Sequence, residues 1–533
     1  MSQVAGKTRM RQARARRAEL PAPAGAFGVR DFWWWSSLGL LLAAALLRVL
    51  YLTQKPLHHD EGVNGNFLAI LFRTGSYHYD PSNYHGPTLY YLAVIPTAIN
   101  NVLHWGHGLS TVAIRLVTAA FGVGIVWLML CLRRFLGTPA SLAAAAFATV
   151  SCGFVYFSRY FIHEILFVFF SLGVIVAWLW YRETDRPRYL MLASASAAML
   201  YATKETWIIT VAVWLIALPC TTFYLRLLGR EQGEVTSTIG KDAPTDQDGK
   251  RKKLYLQAAA LFVAIAVLFY TSFFTHPRGI LDSVLTFATW TKTGSSGIYN
   301  REWSTYLQWM WTEEAPILVL GGIGTVVALV KASSYFTVFC AFWSMGIFAA
   351  YALVPYKTPW LALSIILPLV IMCGYAFGGA YKPGVRVFTT CVAGAAVMFC
   401  LYLAIDASFV HYDDDSSCDG TPCYPYVYAH TRRDFLNLMD EIESIAVRNP
   451  AHKDIGITVV SPEHWPMPWY LREYTKVGYH GQLVPTSEPI VIGLEPQLPQ
   501  LEQQLGANYH LFSTHELRPG NKLVMFVRND VAQ

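Results

Sequence analysis

Charge is what this chain has least of. Only 14% of its 533 residues are charged, against 54% hydrophobic, where a soluble domain carries roughly a quarter charged residues. That balance excludes a water-soluble enzyme. A histidine pair at helical i,i+4 spacing is also lacking around the first polar cluster. His58-His59-Asp60-Glu61 sets its two imidazoles side by side, which is not the zinc pattern of a metalloprotease. No internal repeat of the kind found in many transporters is present. The start is basic, with Lys7, Arg9, Arg11, Arg14, Arg16 and Arg17, as a signal peptide would be. The apolar run after it is too long for one, and no small-residue cleavage site follows, so it reads as an uncleaved anchor.

Long apolar runs are what the chain does have. Trp33 to Leu52, Leu254 to Phe274 and Leu361 to Phe377 approach the roughly 20 residues that cross a bilayer. The net charge of +6 lies mainly in short basic clusters, which report topology and give no reason to expect a nucleic-acid partner. Applying the positive-inside rule run by run predicts about 11 crossings, with the N-terminus cytoplasmic and the C-terminus outside. Pro87–Leu103, interrupted by Pro96, Asn100 and Asn101, is read as a helix resting at the outer interface. The fold class expected is an all-α polytopic membrane domain with a C-terminal extracytoplasmic α/β domain. Residues 1–31 form a disordered basic cytoplasmic tail on this reading, 32–405 the membrane domain and 406–533 the α/β domain. In that last part, Phe435, Leu438, Met439, Ile442 and Ile445 recur at helical spacing. Ile455–Val460, Ile490–Ile492 and Leu523–Val527 read as strands.

With this topology the ionisable clusters fall outside: Asp60-Glu61, His85, Arg159 with His163-Glu164, Lys204-Glu205, Arg278 and Lys357. Acidic residues near a bilayer are expensive, roughly 2.5–3.5 kcal/mol each at its centre, so adjacent carboxylates at the end of the first run point to use. Asp60 suits a general base at the membrane boundary, with Glu61 beside it; equally, it suits a helix N-cap. Glu164 is a second acid, able to bind a metal or an acceptor or to pair with Arg159. His59, His85 and His163 could join it around a divalent metal ion, although no spacing fixes that geometry. Lys204, Arg159, Arg278 and Lys357 together suit a lipid phosphate; singly, such cations snorkel to headgroups. Seven of the nine cysteines lie in or beside apolar runs. Cys418 and Cys423 flank Asp-Gly-Thr-Pro and form a plausible disulfide in an oxidising compartment. Trp465, Trp469 and Tyr470 suit either stacking on sugar rings or a small-domain core.

In this order the motifs resemble the GT-C membrane glycosyltransferases, of the protein O-mannosyltransferase and aminoarabinose-transferase type. The residues that carry the likeness are Asp60-Glu61, Gly75, His85-Gly86-Pro87 with Leu89-Tyr90-Tyr91, Ala113-Ile114-Arg115-Leu116 and Arg133-Arg134-Phe135-Leu136-Gly137. Phe157-Ser158-Arg159 with Glu164, and Ala202-Thr203-Lys204-Glu205, complete the set. Tyr356-Lys357-Thr358-Pro359-Trp360 and Pro466-Met467-Pro468-Trp469-Tyr470 look like a bacterial and archaeal subfamily described as flippase-associated or mannosyltransferase-like.

The resemblance implies a polyprenyl-phosphate sugar as donor, Asp60 as the catalytic acid residue of the first outer loop, and Glu164 where relatives often carry Asp. The expected enzyme is a hexosyl- or mannosyl-type transferase of the cell envelope, in the inner (cytoplasmic) membrane. Its acceptor would be a protein, a glycan or a glycolipid outside the cytoplasm. Membrane lipids are its further partners, and no organic cofactor is expected. A transporter-like or flippase-associated protein without transferase activity is the rival. It would carry ionisable residues near the middle of its spans, whereas these sit at span ends.

Overall fold

The computed structural model describes residues 29–83, 85–103, 108–230, 245–294, 300–379, 383–413, 417–418 and 421–531. The chain divides into two units, one ending at Gly39 and the other running from Leu40 to Gln533. The first unit contains the start of the helix Val29–Val49, a run bearing Trp33-Trp34-Trp35. The second contains the remaining elements.

Among the described residues, eight helices are long and apolar enough to cross a membrane, and two further helix pairs qualify if each bent pair counts as one span. The protein is an integral membrane protein. Ten of the roughly eleven crossings expected from the sequence thus have a counterpart among these spans, each bent pair counting as one. The stretch expected to cross at 189–202 is the helix Pro187–Tyr201 of 15 residues, about 22 Å long at 1.5 Å per residue, and short of a ~30 Å hydrocarbon core. The run expected to cross at 140–157 is broken into Thr138–Val150 and Cys152–Ser158, bent by 53°. Ser151 causes the break. Its backbone leaves the helical region, and its hydroxyl accepts from the Phe154 amide to begin the next helix. A sharper bend of 113° separates Thr305–Glu313 from Ala315–Lys331. Pro316 stands in the first turn of the second helix, where its missing amide costs nothing.

The sheet region after the last apolar helix, Pro383–Ile405, begins with the short strands β1 (Ser417–Cys418) and β2 (Thr421–Pro422), paired antiparallel. The main sheet contains β3 (Ile457–Val459), β4 (Val477–Tyr479), β5 (Ile490–Leu494), β6 (Tyr509–Arg518) and β7 (Asn521–Arg528), in the order β4-β3-β5-β7-β6. The β3 strand runs parallel to β4 and β5, while β7 runs antiparallel to β5 and β6. The helix Asp434–Arg448 buries Phe435, Leu438, Met439, Ile442 and Ile445 against this sheet's core. The 3.6-residue spacing of those side chains is what the sequence displayed.

Two glycines set how closely this region approaches the helix His59–Thr74. A Cβ on Gly62 would stand 2.6 Å from Pro466 Cβ, and one on Gly65 would stand 2.5 Å from the Trp469 ring. The Pro466–Tyr470 motif therefore packs directly on the helix that begins at Asp60's own turn. Gly75, at φ 74°, closes that helix in the left-handed conformation that glycine adopts cheaply. Gly65→Val should overpack this contact and destabilise the protein by about 1–3 kcal/mol. Thermal unfolding in detergent measures it, and an unchanged midpoint would mean that Trp469 does not seat there.

Candidate active site

The site begins with a cap. His58 precedes the helix His59–Thr74 in an extended conformation, and its Nδ1 accepts from the Asp60 amide at 3.1 Å. Glu61 reaches back to accept from the His58 amide at 3.0 Å. This is a capping box in which histidine replaces the usual Ser or Thr. The cap is thus His58, and the Asp60 side chain is spared that role.

Glu61 is fully engaged away from solvent. Its carboxylate accepts two hydrogen bonds from Arg115, each 2.7 Å, and a third from the Phe161 amide at 2.8 Å. Both members of the pair are 0% exposed. Burial pushes the Glu61 carboxyl up, but Arg115, Lys55 and the His58 amide together more than offset it, and the net shift is downward. The Arg115 guanidinium also donates to the carbonyls of Leu52, Lys55 and Pro56. Glu61, expected to share catalysis with Asp60, instead ties the first turn of its helix to the preceding loop and to the 161 loop.

Asp60 faces the other way, into a cavity of about 890 Å³. His59, His85, His163, Glu164 and Lys204 line the same cavity, so six of the expected residues, with Asp60 included, do meet. The meeting has a backbone cause. Gly86 donates to the Thr203 carbonyl at 3.0 Å, and Thr88 donates to the Ala202 carbonyl at 3.3 Å. A Cβ on Gly86 would collide with the Ala202 carbonyl oxygen. Only glycine lets the His85-Gly86-Pro87 turn lie against Ala202-Thr203 and bring His85 beside Lys204-Glu205.

Three of the cavity's carboxylates have basic partners. Glu164 pairs with Lys204, Glu205 with His85 at 3.0 Å, and Glu463 with Arg518 at 2.6 Å. Burial lowers the Lys204 ammonium, but Glu164 and Glu205 outweigh it and hold the group charged. Burial raises Glu205, and His85 and Lys204 bring it below the ordinary carboxylate range. The Asp60 carboxylate, among the described residues, makes no hydrogen bond or ion pair. His163 donates from Nε2 to the Gly86 carbonyl at 3.0 Å, and burial pulls it well below the ordinary imidazole value.

Three expected phosphate ligands do not line the cavity. Arg159 donates to the carbonyls of Leu47, Leu50 and Tyr51. Lys357 donates to those of Tyr351, Ala352 and Val354 at 2.9, 2.9 and 2.7 Å. Each cation therefore serves the end of a helix, where the last carbonyls lack intrahelical partners. Arg278 has a side chain 73% exposed and lies 3.4 Å from Asp282. In their place the structure supplies Arg518 and Glu463 from the C-terminal region, together with His58, Asn64, Glu205, Trp360 and Tyr428. Trp360 belongs to the quoted 356–360 motif, whose tryptophan reaches the cavity although its lysine does not.

The donor set does not fit a metal ion. No group of three or more His, Cys, Asp or Glu is arranged to hold one among the described residues. His85, His163 and Glu164 each spend a polar atom on a protein partner, as above, and His59 Nδ1 meets Arg518 at 3.2 Å. Cys423 is disulfide-bonded, seven other cysteines are free thiols, and the Cys418 side chain lies outside the described residues.

Residues 84–230 match the dolichyl-phosphate-mannose-protein mannosyltransferase family. No curated protein matches the sequence. Among solved structures, the chain is similar to ArnT from Cupriavidus metallidurans bound to undecaprenyl phosphate. The TM-score is 0.62 at 13% identity, covering 94% of this chain and 98% of that one. The apo state of the same protein matches at 0.56 and 12% identity, covering 93% and 98%. An Archaeoglobus fulgidus oligosaccharyltransferase tethered to an acceptor peptide matches at 0.51 and 12% identity, covering 85% and 64%. At such identities the likeness is one of fold. Residues 84–230 thus resemble that mannosyltransferase family by sequence, and the chain as a whole resembles ArnT in fold.

Proposed function

We propose that this protein transfers a sugar from a polyprenyl-phosphate donor to an acceptor hydroxyl, with Asp60 as the base. The observation that carries the reading is the unpaired carboxylate of Asp60 in a cavity whose other carboxylates have basic partners. An ion pair would lower its basicity; without one it is free to accept a proton. The undecaprenyl phosphate bound by the similar ArnT supports a lipid phosphate as the donor's leaving group.

The chemistry then needs little else. The acceptor oxygen forms a bond to the anomeric carbon as the bond from that carbon to the phosphate oxygen breaks. The electron pair leaves with the phosphate, and the acceptor proton passes to Asp60. A phosphate departs as a stable anion, so no second carboxyl group must protonate it, unlike a glycosidase. Direct displacement inverts the anomeric centre. Lys204 meets the departing charge: Glu164 takes one of its three ammonium donors, leaving others for a phosphate oxygen. On the positive-inside reading the cavity and residues 406–533 face outside the cytoplasm, and the N-terminus lies within it. The sugar is of hexosyl or mannosyl type, and the acceptor a protein, glycan or glycolipid of the cell envelope.

Asp60→Asn should lower transfer from a radiolabelled polyprenyl-phosphate sugar by about 10²–10⁴-fold, with thermal stability and donor binding kept. Transfer at the wild-type rate would remove the proposal. Glu61→Gln should behave differently: breaking a buried ion pair costs about 3–5 kcal/mol, read as a lower unfolding temperature. Lys204→Met should weaken donor binding, read as a rise in KM for the donor, while binding of the sugar-free acceptor stays unchanged.

A further inference from the structure

Arg518 ends β6, some 459 positions beyond His59 in the chain. The ladder to β7 slips between Glu516 and Arg518, a bulge of the kind that re-aims a side chain. The guanidinium is held from two sides. Nη1 donates to Glu463 at 2.6 Å, and Nη2 donates to the Trp465 carbonyl at 2.7 Å. Nη2 also lies 3.2 Å from His59 Nδ1.

A guanidinium can only donate. His59 Nδ1 must therefore accept, and the ring carries its proton on Nε2. We propose that Arg518 is a positioning residue: it locks His59 as the neutral Nε2–H tautomer and so keeps a hydrogen-bond donor, without a charge, next to Asp60. This rests on the reading of the cavity as the transfer site. A protonated His59 would pair with Asp60 and weaken it as a base. A neutral ring offers Nε2–H to a hydroxyl or phosphate oxygen and leaves Asp60 unpaired. The groups that act on His59 are Asp60 and His58 on its own turn and Arg518 and Glu463 from the C-terminal region. Burial is the largest influence and pulls the imidazole down to about 4. Asp60 and Glu463 oppose it, while Arg518 and His58 reinforce it. On this view the C-terminal sheet is a working wall of the site, since it supplies the group that sets the state of His59.

The test uses full-length protein with ¹⁵N-histidine in lipid nanodiscs, the His59 signal being taken as the difference between wild type and His59→Gln. Wild type should show Nδ1 unprotonated and Nε2 protonated, and Arg518→Met should lose that fixed tautomer. A protonated Nδ1 in wild type, or an unchanged spectrum in Arg518→Met, overturns the proposal. Arg518→Met/Glu463→Gln gives the same readout without leaving Glu463 alone, should the single variant fold poorly. In transfer assays Arg518→Met should lower kcat about ten- to hundredfold with KM for the donor unchanged, and Arg518→Lys should restore part of it. A raised KM with unchanged kcat overturns the role in the reaction. Full activity in Asp60→Asn would remove the transferase reading, yet the spectrum would still decide whether Arg518 fixes His59.

Discussion

The Glu61–Arg115 pair is the constraint on which the site depends. An unpaired charge in so dry a place would cost several kcal/mol, so the two groups must meet, and their meeting fixes much else. Arg115 stands on the helix Thr111–Cys131 and reaches the carbonyls of residues 52, 55 and 56 as well as Glu61. Glu61 in turn holds the His58 and Phe161 amides. One ion pair thus pins the turn before the helix His59–Thr74, the start of that helix and the loop that leads to His163-Glu164. Asp60, one residue earlier on the same helical turn, is directed elsewhere by the pitch of the helix.

Close backbone approach completes the chamber. Gly86 lets one loop lie on Ala202-Thr203, and Gly62 and Gly65 let Pro466 and Trp469 lie on the helix that carries Asp60. These contacts need no charge and little apolar area. They set distances, and the distances decide which polar groups pair. The result, among the described residues, is a set of cavity carboxylates with basic partners and one without, the arrangement on which the proposed transfer rests.

The sequence displayed the ingredients of the site more clearly than their roles. Asp60, His85, His163, Glu164 and Lys204 each follow or precede an apolar run, where ionisable groups are costly, and all five line one cavity. Arg159 and Lys357 carried the same signal for a different reason. The last carbonyls of a helix also need donors, and a cation at a helix end answers that need whether or not a ligand is nearby. Arg518 gave no signal, because nothing in the local pattern of β6 says that its last residue faces the start of the helix His59–Thr74. Among the described residues, the expected crossing without a qualifying span is 189–202, where the helix Pro187–Tyr201 is only 15 residues long.

Composition and apolar run length by themselves determined that this is a polytopic helical membrane protein, because a bilayer sorts segments by the cost of burying charge. Helical spacing likewise determined the apolar face of Asp434–Arg448. Tertiary structure alone decided which acid is structural and which is free. Asp60 and Glu61 are chemically near-equivalent neighbours, and only the position of Arg115, 54 residues away from Glu61, separates them. It likewise decided which cations serve the cavity, since a side chain's function there is set by the partner it reaches in space.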